Sequence, residues 1–247
     1  MPKKLRPQDI TILLVRPRYP GNIGSTCRVL KNMGLTKLHL VRPSVLPTHP
    51  ESLRLAVGAA DLAKKAKVFG TLEEATQGLR YLIGTSRRTG KYRRDFVNLP
   101  ELGTKLPIGQ KVGILFGSEE KGLTNKELAV CHLVTTIPSN PDYPSLNLAQ
   151  SVAVVAYQLR LLMQAGLPAI EGKTFELASV EEVEGMFQHL EKALSAIGFL
   201  EHKNAFHLMR TIRQLFGRTQ MNDREVRIFR GICRQVLWAT KKEPLSK

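Results

Sequence analysis

The sequence predicts an α/β fold with a parallel sheet, followed by a small all-helical domain, and three observations predict it. Short apolar runs alternate with helix-period stretches over roughly residues 1–166. The runs are apolar at successive positions rather than every second one, as strands covered on both faces are. Beyond residue 178 no convincing strand remains, only helical periods rich in arginine and lysine.

Six runs read as strands: Ile10–Val15, Lys37–Val41, Ala66–Phe69, Tyr81–Gly84, Val112–Phe116 and Leu133–Ile137. Helix candidates lie between them, and strand alternating with helix gives βαβ units. The first is Ile23–Met33, with Asn22 as N-cap and Gly34 placed to stop it. A broken stretch covers residues 51–65, and Leu72–Gln77 follows. Thr124 and Glu127 form a capping box ahead of Asn125–Cys131. A long helix, Leu148–Leu162, closes the region before Gly166 and Pro168. Residues 167–177 are expected to be a linker. Residues 178–247 hold three helices. The first opens on the Ser179/Glu182 capping box and runs to about Ile197; the second is Ala205–Phe216, capped by Asn204 and stopped by Gly217. The third opens on Asn222 and Glu225, with Val226, Phe229, Ile232, Cys233, Val236 and Leu237 on one face.

The chain has 247 residues, 43% hydrophobic and 23% charged, a globular composition that excludes general disorder. Its formal charge is +16 and its pI near 10.0, so its surface attracts polyanions. The most apolar stretch, Leu146–Met163, is broken by Asn147, Gln150, Gln158 and Arg160 and falls short of the ~20 apolar residues of a membrane span. The apolar run at Ile10–Val15 is too short for a signal peptide. Cys27, Cys131 and Cys233 are odd in number and far apart, which fits a reducing cytosol better than a disulfide framework. No histidine stands in HExxH or beside CxxC, so no metal site is expected.

Positive charge concentrates in two places. Between Lys203 and Lys242 ten basic residues face only Asp223 and Glu225, and Arg227, Arg230 and Arg234 share one side of the last helix. Arg210 and Arg213 precede them. A second cluster, Arg87, Arg88, Lys91, Arg93 and Arg94, follows the fourth strand. Together they favour RNA or DNA contact over a merely solvated face. Aromatics make up only 6%, which favours reading backbone shape and charge over base stacking.

Three loops follow strand candidates, where open parallel sheets place ligands. Pro20-Gly21-Asn22-Ile23-Gly24 leads to Arg28, one turn beyond Gly24, and Gly24 leaves room for a polyanion at the helix N-terminus. Gly117-Ser118-Glu119-Glu120-Lys121-Gly122 brushes against a P-loop. Leu123 and Thr124 follow Gly122, so the phosphate-gripping lysine is missing, and GxGxxG is absent too. Ile137 through Tyr143-Pro144-Ser145-Leu146-Asn147 is a turn-rich lead into the long helix.

Taken together, Asn22-x-Gly24 with Arg28, the Leu115-x-Gly117-x-Glu119-x-x-Gly122-Leu123 loop, and Ser145-Leu146-Asn147 before a helix resemble the three motifs of the SpoU/TrmH ribose methyltransferases of the SPOUT superfamily. Gly84-Thr85-Ser86-Arg87 and the basic helical extension are most similar to the TrmJ type. The resemblance implies a C-terminal trefoil knot in the α/β domain, against the general absence of knots, and a cytoplasmic homodimer with active sites shared between chains. It implies S-adenosylmethionine against Thr85, Ser86, the backbone of Arg87, Gly117, Ile137, Pro144, Ser145, Leu146 and Asn147. It implies Arg28 as catalytic arginine, with Asn22, Glu119 and Ser145 at motif positions. The implied reaction is methylation of the ribose 2′-hydroxyl of nucleotide 32, C or U, in the tRNA anticodon loop. Two alternatives stand beside it: ribosomal RNA as substrate, and a non-catalytic RNA-binding module that keeps the fold.

Overall fold

The computed structural model describes residues 5–87, 96–107, 109–165, 176–201, 205–217 and 219–242. Its sheet has seven strands: β1 (Ile10–Val15), β2 (Leu38–Val41), β3 (Lys67–Phe69), β4 (Tyr81–Thr85), β5 (Phe96–Asn98), β6 (Val112–Phe116) and β7 (Leu133–Thr136). All pairings are parallel, in the order β3-β2-β1-β6-β4-β7-β5. The interior β1 shows why its pattern is apolar at all but one position. Ile10, Ile12 and Leu14 enter one core and Leu13 and Val15 the other, so every position is buried.

One face is covered by α1 (Pro20–Met33) and α6 (Leu148–Ala165), which bring Ile23, Cys27 and Leu30 against Val152, Val155 and Leu159. α2 (Pro50–Ala56) and α3 (Ala60–Lys65) pack beside α1. The other face carries α4 (Leu72–Thr76) and α5 (Asn125–Ala129), through Ala75, Leu79 and Leu128. Burial pushes the Cys27 thiol up to about 12, so it is a core residue and not a nucleophile.

Three departures from expectation have local causes. α1 begins at Pro20 with Tyr19 as its cap, three residues before the expected start, because proline is suited to the first helical position. Asn22 therefore sits inside the first turn and caps nothing. The stretch over residues 51–65 splits into α2 and α3 at Val57, whose φ is 47°. β5 escaped notice because three residues cannot display a period.

After residue 175 come α7 (Val180–Ala196), α8 (Ala205–Gly217) and α9 (Asp223–Lys242). The Ser179/Glu182 capping box forms as expected. These helices share a separate core of Met186, Phe187, Met209, Met221 and Val226, in which Phe216 meets Phe229 edge-on at 4.7 Å. Ile232, placed on the apolar face by its spacing, is 52% exposed; Val226 and Cys233 are buried instead. Val180 N donates to the Leu79 carbonyl at 2.9 Å, and Arg80 pairs with Glu176 and Asp223, which fastens the helices to the sheet at the base of β4. Most of the expected linker, and Asn204, lie outside the described residues. Among the described residues no helix is long and apolar enough to cross a membrane.

Candidate active site

The strand order places β6 between β1 and β4, with β7 beyond β4, so the loops after β4, β6 and β7 open side by side at one sheet edge. Between them lies a cavity of about 520 Å³. Thr85, Ser86 and Arg87 line it from the first loop, Gly117 to Leu123 from the second, and Ile137, Pro144, Ser145 and Leu146 from the third. Eight of the nine residues expected to touch a cofactor thus share one cavity. The ninth, Asn147, does not line it.

The second loop folds tightly on itself. A Cβ on Gly117 would lie 1.9 Å from the carbonyl carbon of Gly122 and 2.0 Å from Leu123 N, so only glycine fits. Gly122 has φ +64°, and its N–H donates to the Ser118 carbonyl at 2.8 Å. On the floor, Thr85 Oγ1 donates to the Leu115 carbonyl at 2.9 Å, while Thr135 Oγ1 is buried without a partner.

A polar chain joins the three motifs. Asn22 Nδ2 donates to Glu119 Oε1 at 2.8 Å, and Asn147 Nδ2 donates to Asn22 Oδ1 at 3.0 Å. The direction is fixed at both ends. The Glu119 carboxylate only accepts, taking also the Arg18 N–H at 3.0 Å, and Asn147 Oδ1 accepts Ala149 N at 2.8 Å at the start of α6. Asn22 is almost fully buried, so both its amide atoms need these partners.

Gly24 has a different use from the one expected. A Cβ there would lie 2.1 Å from the Ser52 carbonyl oxygen, so this glycine lets α2 pack on α1 and opens no path for a polyanion. Arg28 is exposed on α1, has no partner among the described residues, and does not line the cavity of its own chain. Ser145 is exposed at the rim.

Of the expected RNA contacts, Arg88, Lys91, Arg93 and Arg94 lie outside the described residues. Arg227, Arg230 and Arg234 are exposed along α9, and Arg210 is half-buried. Arg213 is a correction: it pairs with both oxygens of Glu184 at 2.6 Å and lies over the Phe187 ring, so its charge is spent inside the helical core. Spacing did not single out Thr135, which is one of two adjacent threonines in β7. Spacing also missed Arg16 and Arg18, which reach from the end of β1 to Glu127 and Glu120.

The cavity suits S-adenosylmethionine. It has the volume for a nucleoside joined to an amino acid, an orphaned hydroxyl on its floor, a glycine cradle, and apolar walls from Phe116, Leu123, Ile137 and Leu146. Among the described residues no cluster could hold a metal ion.

Known proteins resemble this chain in sequence and in fold. The profile of the SpoU rRNA methylase family matches residues 9–157, and that of the tRNA methyltransferase TrmJ C-terminal domain matches residues 181–245. The chain is 39% identical over 236 residues to the tRNA (cytidine/uridine/adenosine-2′-O-)-methyltransferase TrmJ of Pseudomonas aeruginosa (strain UCBPP-PA14), covering 90% of this chain and 91% of that one. The crystal structure of TrmJ from Z. mobilis ZM4 superposes with a TM-score of 0.78 at 32% identity, covering 92% and 98% of the two chains. An AdoMet-bound rRNA methyltransferase from Sinorhizobium meliloti shares the fold at 22% identity, with a TM-score of 0.51 over 62% of this chain and 56% of that one.

Proposed function

The chain belongs to the SpoU rRNA methylase family, and from that premise we propose that it methylates the ribose 2′-hydroxyl of nucleotide 32, a C or U, in the anticodon loop of tRNA. It is an S-adenosylmethionine-dependent RNA 2′-O-methyltransferase. The observation that carries this function is the convergence of the three motif segments on one cavity, tied together by Asn22, Glu119 and Asn147. The choice of tRNA over ribosomal RNA is supported by the names of the relatives and by the second profile over α7–α9.

Bound S-adenosylmethionine supplies a methyl group on a sulfonium. The chain must supply an oriented nucleophile, because a ribose hydroxyl is barely ionised at neutral pH. Alignment of the reactants is worth on the order of 7–11 kcal/mol. Arg28 donates to the target phosphate and to the developing oxyanion through its planar fork, and it stays charged while doing so. Ser145 lies at the rim where the sugar enters. Thr85, Gly117 and Leu146 hold the donor largely through backbone groups.

Arg28 does not reach the cavity of its own chain, so a second copy supplies it. Val154, Tyr157 and Leu161 form an exposed stripe on α6, the helix packed against α1 where Arg28 stands, and this stripe suits the interface of a homodimer. The resemblance to the SPOUT superfamily, together with the family match over residues 9–157, is what supports a deep trefoil knot near the loops after β6 and β7. Residues 1–166 form the catalytic domain and residues 178–247 the RNA-binding extension of a cytoplasmic enzyme.

Labelled methyl transfer to a bulk tRNA pool and to tRNA transcripts tests the assignment. Label on the ribose of nucleotide 32, lost when that ribose is 2′-deoxy, is the expected result. Label on ribosomal RNA only, or on neither, overturns it.

A further inference from the structure

We propose that Arg16 is a positioning residue for the cofactor: it braces the Gly122–Leu123 backbone from the far end of β1 and so sets the affinity for S-adenosylmethionine without touching it. The proposal rests on the cavity being the cofactor site. Arg16 follows the last residue of β1. Its N–H donates to the Val41 carbonyl at 2.7 Å, and its φ is 55°, a left-handed conformation that a non-glycine residue keeps only where its surroundings impose it.

That backbone sends the side chain across the end of β6. The guanidinium forms a fork with both carboxylate oxygens of Glu127, to Oε1 and, at 3.1 Å, to Oε2, and donates to the Gly122 carbonyl at 3.3 Å. Glu127 is only 14% exposed at its side chain and also accepts the Thr124 N–H at 2.7 Å. One carboxylate therefore ties the exit of β1 to the segment just after the cofactor loop. The arginine itself holds the carbonyl whose carbon lies where a Cβ of Gly117 would be.

The consequence is mechanical. Gly117 leaves no slack against Gly122 and Leu123, so the width of the cradle is set by whatever holds those two residues. Gly122 N is held by Ser118, and Gly122 O by Arg16. Arg18 adds a second tie, through Glu120, at the opposite side of the loop. Sequence spacing cannot reveal this, since Arg16 and Glu127 are 111 positions apart.

Calorimetry with S-adenosylmethionine on wild type, Arg16→Ala, Arg16→Lys, Glu127→Gln and the Arg16→Ala/Glu127→Gln pair tests the brace. Arg16→Ala is expected to raise Kd by roughly 10- to 100-fold, the loss of a charged hydrogen-bonded fork. Its kcat at saturating cofactor should fall less than about twofold, and its KM for tRNA should not move. Lysine keeps the charge without the fork and should fall between. The double variant should bind no worse than Arg16→Ala, because both lesions break one interaction. If Arg16→Ala does not fold, Glu127→Gln, which keeps an acceptor for Thr124, still has to raise Kd several-fold. Unchanged cofactor affinity in both variants with an unchanged melting temperature, or a lesion seen in tRNA KM alone, overturns the brace. No binding by wild type overturns the cofactor assignment and the brace together.

Discussion

Arg28 and Asn22 lie six positions apart on the same helix yet meet opposite fates. Asn22 is buried and spent within the chain on Glu119 and Asn147, whereas Arg28 is exposed and unpaired among the described residues. Replacing Arg28 by Ala should lower turnover by at least about 100-fold, the scale of losing one preorganised oxyanion donor, with Kd for S-adenosylmethionine within twofold by calorimetry. Lysine should restore little, since it lacks the planar fork. A second residue-scale prediction concerns His132. Its Nδ1 accepts the Leu82 N–H at 3.1 Å and its ring stacks on Tyr81, and desolvation lowers its pKa to about 4. An unfolded histidine takes up its proton near pH 6.5, so this residue's contribution to stability is complete above that pH and is lost as pH falls towards 4. Urea midpoints of wild type should therefore drop more steeply between pH 6.5 and 4 than those of His132→Gln.

At the scale of elements, α6 is divided lengthwise. Val152, Val155, Ala156 and Leu159 are buried against the sheet and α1, while Val154, Tyr157 and Leu161 face outward. An isolated helix pattern does not tell these stripes apart, because both are apolar; only the packing of one shows that the other is free. If the proposed homodimer forms through this outward stripe, Tyr157→Asp should shift the protein from dimer to monomer in sedimentation. If a second copy supplies Arg28, as proposed, the same variant should also make specific activity rise with protein concentration. A mutant that stays dimeric would place the interface elsewhere. The α1–α2 contact shows the same principle inside the fold, where Gly24 is required by a neighbouring helix backbone and not by a ligand.

The whole molecule carries its charge unevenly, and the structure sorts it. Arg80 and Arg213 are committed to internal carboxylates, whereas Arg227, Arg230 and Arg234 project from α9. Changing those three to Gln together should weaken tRNA binding and lower the slope of log affinity against log salt by about two to three, since each phosphate contact contributes roughly 0.7–0.9. Filter binding at several salt concentrations measures it, and an unchanged slope would return these arginines to solvent. Because α7–α9 are fastened to the base of β4 through Arg80 and Leu79, the arginines are held at a set position relative to the cavity.

Local order was written plainly in the chain. Continuous apolar runs, capping boxes at Thr124 and Ser179, and the stop at Gly34 specify strands and helix ends through interactions among near neighbours, and all six expected strands recur within one residue at each end. The motif residues were legible as well, since backbone-lined cradles demand glycine at fixed spacing. What spacing could not supply is everything that depends on distant parts of the chain meeting. Tertiary structure alone decided that β6 inserts between β1 and β4, that Asn22 joins Glu119 and Asn147 instead of capping its helix, and that Arg213 turns inward while Arg28 stays exposed. Sequence separation carries no energy of its own. Partners about 100 positions apart are chosen by burial and by the need to pair every buried polar atom, which exist only once the sheet has closed.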